Sequence, residues 1–215
     1  MTWFLVCRAR KASLLQQTKR KFITIRRFIR GVDATAPDGF TVRRATLKNT
    51  QEVTKRMGKR PSMLTFPLAV DGDGWPPFGS ETLPIKVVRP GVFTVLTPPF
   101  FIKDLSADDT IEATIAADGS VADWHHSRRS CNTTVWVLQG NAESLDDLAG
   151  YFLDLGCNIE RLPEFGLLSV DVPPSIREIA LDDAIGRCRE SGAHVAVPAF
   201  RFDEPRHPSR GPQRS

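Results

Sequence analysis

No stretch of this 215-residue chain approaches the roughly 18 consecutive apolar residues that a membrane-crossing helix requires, because Lys, Arg or Asp interrupts every hydrophobic run within a few positions. Cysteine is scarce too. Cys7, Cys131, Cys157 and Cys188 are too few and too scattered for a disulfide framework, and no two of them form a C-x-x-C pair, so reduced thiols in a cytoplasmic protein are the expectation. The phosphate-cradling patterns G-x-G-x-x-G and G-x-x-x-x-G-K-[ST] are missing, as is the G-x-S-x-G elbow, and no cofactor is expected. Metal patterns fail as well. Asp71-Gly72-Asp73-Gly74 begins like a calcium loop, but Trp75, Pro76 and Thr82 stand where an EF-hand places an acid, a glycine and the closing glutamate. His125, His126 and Cys131 have no fourth ligand at zinc spacing.

What is present is the balance of a soluble globule, 41% apolar and 25% charged, with length for one large domain or two small ones. The charge is segregated. Residues 1–60 hold sixteen Lys or Arg against three acids, residues 61–202 hold ten against twenty, and residues 203–215 hold three against two. A basic arm is thus joined to an acidic body and a short tail rich in Pro, Arg and Ser, the tail being expected to be disordered. Within the arm Lys19, Arg20, Lys21, Arg26, Arg27 and Arg30 are interleaved with Phe22, Ile23, Ile25, Phe28 and Ile29, a pattern suited to phosphates or to an anionic surface. Its other readings are an Arg-rich leader, or a disordered or partly helical extension that precedes a true start at Met57 or Met63.

From residue 61 to 130 the chain reads as a small bent β-sheet or barrel. Leu64, Phe66, Leu68 and Val70 alternate with the period of a half-buried strand, as do Leu83, Ile85 and Val87, then Phe93 and Val95, then Ile111, Ala113 and Ile115. Arg89-Pro90-Gly91 and Asp118-Gly119 supply turns, the second leading into a strand through Val121 and Trp124.

Residues 131–202 follow a different plan. Strands are expected at Thr133–Leu138, Asn158–Leu162, Leu167–Val172 and His194–Val197. Ser144-x-x-Asp147 caps a helix whose stripe runs through Leu145, Leu148, Ala149, Phe152 and Leu155 to Gly156. Ser175-x-x-Glu178 is expected to cap another, with Ile176, Ile179, Ala180, Ala184, Ile185 and Cys188 on its apolar side. The overall expectation is α+β: the bent sheet or barrel, then a ferredoxin-like β-α-β-β-α-β sandwich with one sheet face left uncovered by helices.

Candidate site residues come from the proline-stiffened apolar segments and what flanks them. Trp75, Pro76, Phe78, Phe100 and Phe101, with Glu81, Asn132, Thr133 and Thr134, are read as a surface that grips a protein or small-molecule partner, and the acidic body favours a basic one. The plain alternative is that these aromatics plug a core. A second reading is a small hydrolase using Glu81 with Asp109 or Asp171, and a third is nucleic-acid binding through the arm alone.

Several spaced motifs carry a resemblance: Asp73-Gly74-Trp75-Pro76-Pro77, Glu81-x-Leu83, Pro99-Phe100-Phe101, Leu105-x-x-x-Asp109, Ser130-x-x-Thr133-Thr134-Val135 and Leu168-x-Val170-Asp171-Val172-Pro173-Pro174. Over about residues 62–200 the chain resembles the bacterial domain-of-unknown-function family 4265. The resemblance implies a bacterial cytosolic setting and an architecture, with no reaction attached. Where the family pattern tends to read Ser-Gly-His-Ser-Thr, this chain has Ser130-Cys131-Asn132-Thr133-Thr134, and Asn132 exchanges hydrogen bonds but no proton near neutral pH.

Overall fold

The computed structural model describes residues 61–72, 74–141 and 144–202, which form two antiparallel sheets and two helices. The first sheet is a meander of β1 (Ser62–Pro67), β2 (Ser80–Arg89), β3 (Val92–Val95), β4 (Thr110–Ile115) and β5 (Val121–Arg128), in that spatial order. Its inward positions are those the alternation predicts, Leu64, Phe66, Leu83, Ile85, Phe93, Val95, Ile111, Ala113 and Val121, in one cluster with Ile102 and Leu105. Register shifts in β2–β3 and β4–β5 bend the sheet, but it does not close into a barrel. An odd number of antiparallel strands leaves the two edges parallel, and although β1 packs on β5 through Phe66 and Trp124, the isolated bridge Thr65–Ser120, just before β5, is no ladder between them.

The second sheet has the order β7 (Asn158–Leu162), β8 (Leu167–Val172), β6 (Thr133–Leu138) and β9 (His194–Ala199). Helix α1 (Leu145–Leu153) connects β6 to β7, and helix α2 (Glu178–Glu190) connects β8 to β9. Ser144 caps α1 as its spacing predicts, its hydroxyl accepting from the Asp147 N–H, and Gly156 follows with a left-handed φ of 85°. The second cap differs from expectation. Pro173–Ile176 folds into a turn closed by the Ile176 N–H on the Pro173 carbonyl, so α2 begins only at Glu178, Ser175 caps nothing, and Ile179 is exposed. Leu148, Ala149 and Phe152 from α1, with Leu181, Ala184, Ile185 and Cys188 from α2, bury one sheet face formed by Val135, Val137, Leu168, Val170, Val172 and Val195.

The alternate residues of β6 and β8 point the other way, and that face is covered by the first half of the chain. Phe78, Phe101, Trp136, Leu138, Leu162, Leu167 and Ala196 form a third cluster across the seam, with Trp75, Phe100 and Phe165 packed against it. The connection from β3 to β4, residues 96–109, runs into this seam. The indole N–H of Trp136 and the hydroxyl of Ser169 both donate to the Pro99 carbonyl at 2.7 Å, and the Thr134 hydroxyl donates to the Leu105 carbonyl at 3.2 Å. A sheet face that in isolation suits RNA, a ligand or a subunit is therefore spent on internal packing.

Because two buried donors share the Pro99 carbonyl, Ser169→Ala or Trp136→Phe alone leaves it hydrogen-bonded, whereas both together orphan it. Each single change is expected to cost about 1 kcal/mol and the pair about 1–2 kcal/mol more than their sum, read as a double-mutant cycle in urea. Simple additivity would show that the shared carbonyl does not couple the two sheets.

Candidate functional site

The seam concentrates the buried polar groups of the described residues. Glu81, near the start of β2, is 3% exposed, and its carboxylate accepts from the Phe100 N–H at 2.6 Å and the Phe101 N–H at 3.0 Å. Burial pushes the carboxyl up to about 7, against the opposing effect of the Phe100, Phe101 and Ile102 N–H groups, which favour the charged form. Beside it lies a pocket of about 70 Å³, lined by Glu81 to Pro84 of β2, by Thr97, Pro98 and Phe100, by Glu160 to Leu162 of β7, and by Met63.

A second network centres on Asp109. One carboxylate oxygen accepts from the Ser130 N–H at 2.5 Å; the other accepts from the Ser106 N–H at 2.8 Å and stands 3.2 Å from His126 Nε2 and 3.5 Å from the Arg201 guanidinium. Burial alone raises its pKa, but His126, the two N–H groups and the Arg201 charge together hold it below the usual carboxylate range. Arg201, just past β9, is itself buried and also donates to the Asp104 carboxylate and carbonyl, both at 2.9 Å, while its own N–H donates to Thr133 Oγ1 at 3.0 Å.

Asp171 of β8 is the third buried acid. It accepts from the Asn158 amide at 3.2 Å, its other oxygen is buried without a hydrogen-bond partner, and burial together with the charges of Asp108 and Asp109 lifts it to about 6, against the opposing effect of the Asn158 and Asn132 amides. Burial also pushes the neighbouring Cys157 thiol to about 12, with help from Asp171, which leaves it a poor nucleophile.

The residues expected to form a gripping surface are divided by this arrangement. Glu81 and Phe100 line the seam pocket and Trp75 is half-buried, its ring 5.4 Å edge-on from Phe101. Pro76, Phe78, Phe101, Asn132, Thr133 and Thr134 are buried; Phe78 and Phe101 pack across the seam, Thr134 bonds the Leu105 carbonyl and the Ser106 hydroxyl there, and Thr133 accepts from the Arg201 N–H. They do not form an exposed surface. The acid pairs Glu81–Asp109 and Glu81–Asp171 do not form hydrogen-bonded units either, since each acid sits in its own network. His126 bonds Asp109, whereas His125 faces Glu112 across 4.0 Å on the exposed side of β5. Lys19, Arg20, Lys21, Arg26, Arg27 and Arg30 lie outside the described residues.

Sequence reasoning missed Arg201. Its signal was there: a lone cation in the apolar run from Val195 to Phe202, where burial requires an acidic partner.

These features define a two-sheet α+β protein with a polar seam, and comparison with known proteins places it. The family described as "Domain of unknown function (DUF4265)" matches residues 81–195, and the chain belongs to that family. A hypothetical protein from Neisseria gonorrhoeae, known from its crystal structure, has a similar fold, with a TM-score of 0.55 over 67% of this chain and 98% of that one, at 21% identity. No curated protein matches the chain.

The shifted acids set a pH dependence of stability. Glu81, raised from 4.5 to about 7, favours the fold most below the lower value, and that contribution is lost as the pH rises through the upper one. Asp171, raised from 3.8 to about 6, acts in the same direction, while Asp109, held low, favours the fold above 3.8 and ceases to as the pH falls through its depressed value. Urea midpoints should fall between about pH 5 and about pH 8, and Glu81→Gln should flatten that fall while lowering stability by about 1–3 kcal/mol through an amide N–H that faces other N–H donors. Parallel pH curves for the two proteins would show that Glu81 does not titrate in this range.

Proposed function

We propose that this protein is a non-catalytic binding or regulatory module that holds a protein partner at the seam, with residues 61–130 and 131–202 acting as one body and the second sheet arranged as a ferredoxin-like unit. The observation that carries the reading is the pocket beside Glu81. It joins a nearly buried carboxyl to an apolar rim of Phe100, Pro98, Pro84 and Met63 and is formed jointly by β2, β7 and the connection between β3 and β4. The described body lies within a span of ten basic and twenty acidic residues, so its field attracts a basic partner.

One observation favours the hydrolase reading, namely the position of Glu81 near neutral pH, which is where a general acid–base works best. Two weigh against it. Both Glu81 oxygens are held by backbone N–H groups, and about 70 Å³ is far below the roughly 300 Å³ of a pocket that encloses a typical small-molecule substrate.

Affinity capture with the full chain tests the proposal. A stoichiometric protein partner held by the wild type should be lost, by at least about tenfold in affinity, on Phe100→Ala and on Met63→Ala, since a few large apolar side chains dominate such contacts. Retention by both folded variants would rule the seam out as the binding face. Hydrolysis of an ester or amide substrate that Glu81→Gln abolishes would establish the enzyme reading in its place.

A further inference from the structure

We infer that the partner binds by strand addition: an extended, basic segment pairs with the outer edge of β7 and sets a valine-sized side chain into the seam pocket. The inference rests on the binding reading above and names the form and chemistry of the partner segment.

The register of the second sheet shows which edge is open. The Gln139 N–H donates to the Gly166 carbonyl at 2.8 Å, one step beyond the Leu138–Leu167 pair, and hydrogen-bonded pairs recur at every second position of an antiparallel ladder. The main-chain groups of Leu168, Val170 and Val172 therefore turn toward β6, and those of Leu167, Ser169 and Asp171 turn toward β7, where they meet Leu162, Glu160 and Asn158. Ile159 and Arg161 are left with their N–H and C=O groups on the outer side of β7, an outermost strand, and these groups have no hydrogen-bond partner among the described residues. The opposite edge of the sheet differs, since the Pro198 carbonyl of β9 accepts from the Asp104 N–H at 3.1 Å.

The pocket runs along the open edge. Glu160, Arg161 and Leu162 line it in succession, whereas a cavity lying over one face of a strand meets every second residue. A segment paired with β7 directs alternate side chains to the seam side of the sheet, and one of them enters the pocket. Its walls are apolar, Met63, Leu83, Pro84, Pro98, Phe100 and Leu162, and about 70 Å³ corresponds to roughly two or three water molecules at about 30 Å³ each, room for a valine side chain and too little for an aromatic ring. Charge specifies the flanks. Residues 145–165, which span α1, β7 and the turn after it, carry Asp146, Asp147, Asp154, Glu160 and Glu164 against Arg161 alone. Arg161 is paired with Asp146, and Glu160 is already engaged; Asp147, Asp154 and Glu164 are exposed and draw lysine or arginine on either side of the valine.

The test uses the full chain, labelled with nitrogen-15, and capped peptides based on acetyl-Lys-Thr-Val-Thr-Lys-amide. That peptide should shift the amide signals of Ile159 and Arg161 and slow their hydrogen exchange, with a Kd on the order of millimolar. Strand pairing uses alternate N–H groups, so N-methylation of the valine and N-methylation of both threonines must differ: one should weaken binding at least about tenfold and the other leave it within about twofold. Tryptophan in place of the valine should abolish the response, and glutamate in place of both lysines should weaken binding at least about fivefold at low salt. Arg161→Pro removes an outward N–H without touching the β7–β8 ladder and should abolish the response at Ile159. Equal binding by the two N-methylated peptides, or amides of Ile159 and Arg161 that do not respond, overturns the inference without recourse to any variant. Protection of both amides in the free chain also overturns it, in favour of the chain's own arm where it is independent of concentration and of a second copy where it rises with concentration. Capture of a protein partner that depends on Phe100 but survives Arg161→Pro overturns strand addition while the binding reading stands; capture that depends on neither ends both.

Discussion

A connection between two strands, residues 96–109, is buried between two sheets, and irregular backbone cannot be buried unless its N–H and C=O groups find partners. Several interior side chains answer that demand. Glu81 takes the Phe100 and Phe101 N–H groups, Trp136 and Ser169 meet the Pro99 carbonyl, Thr134 meets the Leu105 carbonyl, Asp109 takes the Ser106 N–H, and Arg201 meets the Asp104 carbonyl. The loop contributes apolar surface in return: Ile102 and Leu105 enter the core of the first sheet, and Phe101 enters the cluster at the seam. It binds the two sheets by satisfying both kinds of requirement at once.

That arrangement limits the chemistry open to the acids. Asp109 is ionised and surrounded by four donors, so it anchors Arg201, His126 and the start of the segment leading to β6 and has little capacity left for a reacting proton. Glu81 differs because burial outweighs its N–H partners and pushes its carboxyl up to about 7. That balance gives the fold its dependence on pH.

Much of the local structure was legible in the sequence. Period-2 alternation located β1 to β4, and the strands Thr133–Leu138, Asn158–Leu162 and Leu167–Val172 coincide with the expected limits. Ser144 and Gly156 marked the ends of α1 because capping is a short-range interaction that depends on residues three or four apart. The Ser175 cap failed where two prolines, Pro173 and Pro174, precede it and the chain closes a turn instead. The distinction between a bent sheet and a barrel depended on whether β1 and β5 could form a ladder, and strand periodicity contains no term for that meeting.

Of the candidate residues, Glu81 and Phe100 line the pocket and Trp75 is half-buried, whereas Pro76, Phe78, Phe101 and Asn132 to Thr134 are buried. Composition and spacing singled out Trp75 to Phe78, Glu81, Phe100–Phe101 and Asn132–Thr134 because they set stiff aromatics beside acids and hydroxyls. Which of them stay near solvent and which are buried was decided only when the uncovered face of the second sheet docked on the loop. Alternation specifies that a side chain faces inward or outward on its own strand, whereas burial of an outward face depends on a partner far along the chain: Ser169 reaches Pro99 across 70 positions, and Arg201 reaches Asp109 across 92. The sequence by itself determined the strands, the helices and the acidity of the body; the tertiary structure decided that those acids line a seam, because only long-range packing places a carboxylate where water cannot follow.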